Sequence, residues 1–134
     1  GIEALSRGAS CCVFVEQQRK AAECIRENLA FTRLKDSATL LVTDAVSAVR
    51  KLNGEEAFSW IFMDPPYNQE LEKIVLSYLS KSELVYEDTV IIVEASLDTD
   101  FSYLEQMGFR MIKTKEYKTN KHVFIEKEGK QEIC

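Results

Sequence analysis

The chain has 134 residues, of which 46% are hydrophobic and 29% are charged, and this balance is typical of one folded globular domain over residues 1–134. The formal net charge of −5 argues against a protein that binds nucleic acid through a broad basic surface, because phosphate groups attract Lys and Arg. It leaves open an enzyme that touches nucleic acid at a single site. No apolar run approaches the roughly 18 residues that a membrane-spanning helix needs, so we expect no membrane partner.

The cysteines indicate a reducing compartment. The chain has four of them, none in a C-x-x-C pair, and a single histidine, so the sequence predicts no zinc site. Cys11 and Cys12 stand inside an apolar run, where we expect core thiols of a cytoplasmic protein. Cys24 is expected to be a buried or half-buried thiol on a helix.

Short apolar runs alternate with amphipathic stretches in which apolar residues recur every three or four positions, as in a helix. Beyond Gly108 this alternation ends. Two strand-like stretches around a Lys-Thr-Asn-Lys turn predict an antiparallel hairpin there. In chain order, we predict a strand over 11–15, a helix over 17–31, a strand over 38–42, a helix over 45–52, a strand over 58–63, a helix from about 71, a strand over 89–93, a short helix over 100–107, and hairpin strands over 109–117 and 122–126.

This order of elements favours an α/β fold in which helices cover both faces of a parallel sheet. Ligands of such sheets bind at the carboxyl ends of the strands. Three consecutive predicted strands are followed by an acidic residue, namely Glu16, Asp44 and Asp64. We therefore expect these three side chains to line one edge of the sheet.

The segment Asp64-Pro65-Pro66-Tyr67 is the most informative part of the sequence. Each proline restricts the residue before it to extended geometry, so the chain stays rigid beyond the strand. Neither proline has an N–H group, and the stretch therefore offers acceptors beside one aromatic ring. Such an array suits a flat group that carries an amine, which would donate to Asp64 and the carbonyls while Tyr67 stacks on its plane. A turn that merely ends the strand is the alternative.

Glu16 and Asp44 each allow two interpretations. Glu16 is placed like the acidic residue that binds ribose hydroxyls in nucleotide folds, or it favours the dipole of the helix that follows. Asp44 contacts an adenine amine, or it caps the helix that starts beside it.

Two further features carry weaker signals. His122 lies in the predicted hairpin, where we expect an ordinary surface residue of a strand. The hairpin also holds a basic cluster, which either protects a sheet edge or contacts an RNA backbone, and we favour the first. Its members are Lys113, Lys115, Lys118 and Lys121.

The sequence resembles a known family over nearly its whole length. Asp64-Pro65-Pro66-Tyr67 is similar to the catalytic motif of S-adenosylmethionine-dependent amino-methyltransferases. Residues 1–9 resemble the helix and turn that follow the glycine-rich loop in bacterial 16S rRNA guanine-N2 methyltransferases of the small ribosomal subunit. The Phe14-Val15-Glu16, Asn28-Leu29 and Asp44-Ala45 steps also fit that family. Adenine-N6 DNA methyltransferases also have the Asp-Pro-Pro-Tyr motif. The resemblance of the opening segment favours the rRNA guanine-N2 family over these DNA enzymes.

The resemblance implies a Rossmann-like methyltransferase fold, a mostly parallel sheet with a C-terminal antiparallel hairpin. It implies that S-adenosyl-L-methionine is the cofactor and that a guanine of 16S rRNA, flipped into the site, is the target. Glu16 would hold the cofactor ribose, Asp44 with Ala45 would frame its adenine, and Asp64 would border the cofactor as well. Asp64 and the Pro65 carbonyl would bind the guanine amine, Pro66 would keep the motif rigid, and Tyr67 would stack on the base.

The same resemblance implies that one strand is missing. The family's first strand and glycine-rich loop would precede Gly1, so we expect an N-terminally truncated methyltransferase domain. The upstream segment would be separate, swapped from a neighbour or part of a longer chain. The expected partners are 16S rRNA or an assembling small ribosomal subunit, and the intact enzyme is expected to be a cytoplasmic monomer. The alternatives are a DNA adenine-N6 or other amino-methyltransferase and a non-catalytic nucleotide-binding fragment.

Overall fold

The computed structural model describes residues 11–54, 57–65 and 70–128. The chain divides into two compact units, the first reaching Lys51 and the second beginning at Leu52. Among the described residues, the first unit has a sheet of two strands and the second unit a sheet of four. Pro66, Tyr67 and the opening segment 1–9 lie outside the described residues, so their predicted roles stay predictions.

The first unit is built on one parallel pair of strands. Val15 at the end of the first strand is level with Leu41 at the end of the second, and the Glu16 amide continues the ladder by donating to the Leu41 carbonyl at 3.0 Å. The helix between them buries Ala22 and Leu29, two of the periodic apolar positions. The elements are β1 (Cys12–Val15), α1 (Arg19–Phe31), a 3-10 turn (Lys35–Ser37), β2 (Ala38–Leu41) and α2 (Ala45–Leu52).

The second unit holds a mixed sheet with the order β3-β4-β6-β5. β3 and β4 run parallel, whereas β6 is antiparallel to both β4 and β5. The second strand of the hairpin therefore lies inside the sheet, and the first strand forms its edge. The elements are β3 (Trp60–Met63), α3 (Leu71–Ser80), β4 (Val90–Ser96), a 3-10 helix (Ser102–Met107), β5 (Phe109–Glu116) and β6 (Asn120–Lys127).

The core of the second unit lies on one face of this sheet. Along β4 buried residues alternate with half-buried ones, because successive side chains of a strand point to opposite faces. The buried apolar positions of β4 and β6, together with those of α3, form the core, and each buried Val, Leu or Ile side chain among them contributes about 1.5–3 kcal/mol. They are Ile91, Val93, Ala95, Val123, Ile125, Val75, Leu76 and Leu79. The opposite face of β4 carries Ile92, Glu94 and Ser96.

Several element boundaries differ from the predicted ones for identifiable reasons. α1 begins at Arg19 rather than at residue 17, because the Glu16 carboxylate holds the Gln17 and Gln18 amides in a non-helical turn. β4 extends to Ser96, because β6 pairs with it over seven residues, so Glu94 lies inside the strand instead of following it. The predicted helix over 100–107 is a 3-10 helix.

The expectation of core thiols was wrong. Cys11 and Cys24 are exposed, and Cys12 is half-buried. Cys11 precedes β1, and Cys24 lies on an exposed side of α1, whose buried residues are Ala22 and Leu29.

None of the helices within residues 11–54, 57–65 and 70–128 has the length and the apolar character of a membrane span.

β1 and β3 each have one edge without a partner among the described residues. β1 is paired only with β2, and β3 only with β4, in the part of the chain that the structure describes. These are the strands that lead to Glu16 and Asp64. The upstream strand expected from the family resemblance stays a prediction.

Candidate active site

Asp64 lies beside a second carboxylate at the carboxyl end of a parallel strand pair. Met63 is level with Val93 in the ladder of β3 and β4, so the next residues along the two strands, Asp64 and Glu94, are neighbours. Their carboxyl groups share a hydrogen bond. Partial removal from water, this hydrogen bond and the negative charge of Glu94 together raise the pKa of Asp64 to about 6. Asp64 is therefore the carboxyl of the pair that takes up a proton first as the pH falls.

Glu94 is held from its other side by β6. It stands directly opposite His122 in the antiparallel ladder, and the imidazole Nε2 lies 3.1 Å from Glu94 Oε1. The Asn120 amide nitrogen donates to the same oxygen at 3.3 Å. The hydrogen bonds from Asp64 and then from His122 lower the pKa of Glu94, so Glu94 stays ionised when Asp64 takes up a proton. We call Asp64, Glu94, Asn120 and His122 the Asp64 cluster.

Two aromatic rings flank the imidazole of this cluster. The Tyr117 ring lies 4.9 Å from His122 between centroids, and the Phe62 ring lies 6.1 Å away in an edge-to-face arrangement. Phe62 is 60% exposed and Tyr117 is 50% exposed, whereas the His122 side chain retains only 26% of its exposure. The expectation that His122 is an ordinary surface residue was therefore wrong. Antiparallel pairing of β6 with β4 turns it onto Glu94, and no local sequence pattern reports that pairing.

Glu16 follows β1 at the carboxyl edge of the first unit. Its Oε2 accepts the backbone N–H groups of Gln17 at 2.8 Å and Gln18 at 3.4 Å. The carboxylate is thereby oriented just before α1, the placement that both sequence interpretations require. Its contact with a ribose stays a prediction.

Asp44 caps α2. Its Oδ1 accepts the Ser47 backbone N–H at 2.9 Å, and its Oδ2 accepts the Ser47 hydroxyl at 2.8 Å. These two hydrogen bonds lower the pKa of Asp44. The structure thus shows the capping role, with Ala45 as the first residue of the helix, while the contacts of Asp44 and Ala45 with adenine stay predictions.

Each unit has a pair of acidic residues at the carboxyl ends of two parallel strands. Glu16 and Asp44 both lie beyond the carboxyl ends of the parallel strands β1 and β2. In the second unit, Asp64 and Glu94 lie at the corresponding ends of β3 and β4. The expectation that Glu16, Asp44 and Asp64 share one edge stays a prediction, while Glu94 is a residue that the sequence reasoning missed.

Most of the basic cluster on the hairpin has partners within the chain. The ammonium groups of Lys113 and Lys115 lie 4.6 Å and 5.7 Å from the centre of the Phe124 ring. Lys121 donates to the Thr99 carbonyl at 2.7 Å. β5 is an edge strand, so the lysines on it agree with the protective role, since charged side chains discourage further strand pairing.

A profile of the family described as Conserved hypothetical protein 95 matches residues 1–126. The chain belongs to this family.

Two curated relatives of this family member have names that describe rRNA methylation. "Putative rRNA methyltransferase YlbH" of Bacillus subtilis is 33% identical over 117 residues, which make up 87% of this chain and 62% of that protein. "Ribosomal RNA small subunit methyltransferase D" of Haemophilus influenzae is 25% identical over 99 residues, or 73% of this chain and 51% of that protein. The chain thus spans less than two thirds of either relative. The family resemblance drawn from the sequence is confirmed.

Solved structures confirm the fold class. A conserved hypothetical protein from Streptococcus pyogenes superposes with a TM-score of 0.83 at 30% identity, covering 94% of this chain and 78% of that one. A Streptococcus pneumoniae protein described as a "putative tRNA (m1A22) methyltransferase", solved with S-adenosyl-L-methionine, superposes with a TM-score of 0.74 at 16% identity, covering 99% and 62%. The family member described here therefore has the Rossmann-like methyltransferase fold.

Proposed function

We propose that this protein transfers a methyl group from S-adenosyl-L-methionine to the exocyclic N2 amine of a guanine in 16S rRNA, as a cytoplasmic step of small-subunit assembly. The observation that carries the proposal is the Asp64 carboxyl at the carboxyl end of β3, next to Pro65 and hydrogen-bonded to Glu94. The names of the two curated relatives support rRNA as the substrate.

The donor groups of the first unit suit the proposed cofactor. Glu16 is a carboxylate oriented at the end of a parallel strand, as ribose hydroxyls require. Each Asp44 oxygen already accepts one hydrogen bond, yet a carboxylate has about four acceptor positions, so capacity remains for an adenine amine. The bound cofactor of the S. pneumoniae neighbour supports the same assignment. When bound, the cofactor would supply a methyl group on a positively charged sulfur.

The second unit would orient the amine that receives the methyl group. The lone pair of an exocyclic amine is delocalised into the base, so the amine is a weak nucleophile and its alignment matters. Asp64 and the Pro65 carbonyl would accept its hydrogens, and Tyr67 would stack on the flipped base. As the nitrogen gains positive charge, the Asp64 carboxylate would stabilise it more strongly than the neutral amine.

The test is a methyl-transfer assay with radiolabelled S-adenosyl-L-methionine on naked rRNA, assembling 30S particles and DNA. Digestion of the product to nucleosides should give N2-methylguanosine when the substrate is naked rRNA or the assembling 30S particle. N6-methyladenine from DNA would instead identify the adenine methyltransferase alternative. Tight binding of S-adenosylhomocysteine without transfer to any of the three substrates would identify a non-catalytic nucleotide-binding protein. Sedimentation of the active species would test the proposed monomer.

A further inference from the structure

Three side chains from three different strands form one hydrogen-bonded line. It runs from Asp64, just beyond β3, through Glu94 on β4 to His122 on β6. The backbone ladders place all three, since Met63 is level with Val93 and Glu94 is level with His122. Two separate registers therefore place Glu94 between Asp64 and His122, and its carboxylate has a hydrogen-bond partner on each side.

The far end of this line reaches water. The His122 side chain retains 26% of its exposure, and Glu94 retains 23%. Two charged neighbours of the line point elsewhere. Lys115 is level with His122 on β5, yet its ammonium lies over the Phe124 ring, and the Lys121 ammonium donates to the Thr99 carbonyl. Asn120 adds a neutral donor to Glu94, and the Tyr117 ring packs on the imidazole.

We infer that Glu94 and His122 are positioning residues that orient Asp64 and carry the proton released by the reaction to solvent. This inference rests on the proposed methylation of an amine. When the nitrogen attacks the methyl carbon, an N–C bond forms and the C–S electron pair returns to sulfur. The nitrogen then bears a positive charge and must lose one proton. Asp64 accepts that proton, Glu94 shares it through their hydrogen bond, and His122 delivers a proton to water.

The electrostatics agree with this direction of transfer. Partial removal from water and the neighbouring carboxyl of Glu94 raise the pKa of Asp64 to about 6, which makes it a better proton acceptor than an ordinary aspartate. The charge of a protonated His122 acts in the opposite sense on both carboxyls. Removal of Glu94 and removal of His122 should therefore shift the titration of Asp64 in opposite directions, which a merely structural role would not produce.

The first experiment is the pH profile of kcat/KM for Glu94→Gln and His122→Gln. In the unchanged protein, activity should fall as pH drops through about 6, because Asp64 becomes protonated. Glu94→Gln should move this acidic limb to lower pH, and His122→Gln, which keeps a donor to Glu94 but carries no proton, should move it to higher pH. Each variant should also lose about tenfold or more in kcat. Glu126→Gln is the matched control, because Glu126 lies in the same β4–β6 ladder opposite Val90, and its profile should not move.

A second readout needs no catalysis. The chain has one histidine, so its imidazole gives a single set of NMR signals. The chemical shifts of the imidazole at a fixed pH should depend on the neighbouring carboxyl pair. Both Asp64→Asn and Glu94→Gln should change them, while Glu126→Gln leaves them unaltered. Unchanged histidine signals in both variants, or pH profiles that coincide with that of the unchanged protein, would overturn the inference. Changed signals without guanine methylation would instead reject the proposed function.

Discussion

Glu94 and His122 face each other across β4 and β6, with the imidazole Nε2 3.1 Å from the carboxylate. The contact exists because the C-terminal hairpin inserts its second strand beside β4. The hairpin that a sequence reading treats as peripheral thus supplies a side chain to the strand end where Asp64 lies. It follows that the Asp-Pro-Pro-Tyr segment should be tested together with its neighbours on two other strands.

Replacement of Asp64 by Asn should remove most methyl transfer. The amide has nearly the same shape but no negative charge, so it cannot stabilise the developing positive charge on the amine. We expect kcat to fall by about a hundredfold to a thousandfold, the cost of losing one electrostatic contact to a transition state. Calorimetric titration with S-adenosylhomocysteine should show nearly unchanged affinity. If Asp64→Asn turned over as fast as the unchanged protein, the proposed role of Asp64 would be wrong.

The same replacement should stabilise the protein at neutral pH. A carboxyl whose pKa is raised in the folded state to about 6 contributes stability below its unfolded value of 3.8, and that contribution is lost as pH rises through 6. An asparagine at this position would not ionise, so Asp64→Asn keeps its stability as the pH rises. The free energy of unfolding of this variant at pH 7.5 should therefore exceed that of the unchanged protein. The gain should be about 1 kcal/mol once solvent screening of this exposed group is allowed for. Urea unfolding at pH 4 and pH 7.5 checks this, and an equal gain at both values would contradict it.

Asp44→Ala should destabilise α2. The substitution removes the acceptor for the Ser47 backbone N–H, one of the groups that a helix start leaves unpaired. Because the pKa of Asp44 is lowered in the folded state, its contribution is present above 3.8 and is lost as pH falls through the lower folded value. Thermal melts should thus show a deficit at pH 7 that shrinks in acid. Asp44→Asn retains a capping oxygen and should melt close to the unchanged protein, and a deficit as large as that of Asp44→Ala would argue against capping.

Glu16→Gln should weaken cofactor binding with little effect on the fold. A charged acceptor that holds ribose hydroxyls contributes about 1.5–3 kcal/mol, which corresponds to a loss of roughly tenfold to a hundredfold in affinity for S-adenosylhomocysteine. Glu23→Gln is the control of equal charge, since Glu23 is exposed on α1 and pairs with Arg26. If both variants bind the cofactor equally well, Glu16 serves only the start of α1.

Much of the fold could be predicted because its signals are local. The helix over 45–52 was predicted with its observed bounds, since its apolar spacing and its Asp44 cap lie within one short segment. The strand over 89–93 was found from its unbroken apolar run, yet its end was misplaced by three residues. The extension to Ser96 depends on pairing with Asn120, which is distant in sequence.

The sequence by itself determined the order of strands and helices, the family, and the placement of an acidic residue beyond three strands. Each of these depends on side-chain periodicity, proline geometry or a short motif, all of which act between near neighbours in the chain. Only the tertiary structure decided that Glu94 and His122 join Asp64. A shift of one residue in the register of β6 would turn His122 to the opposite face of the sheet, and that register is determined by long-range packing.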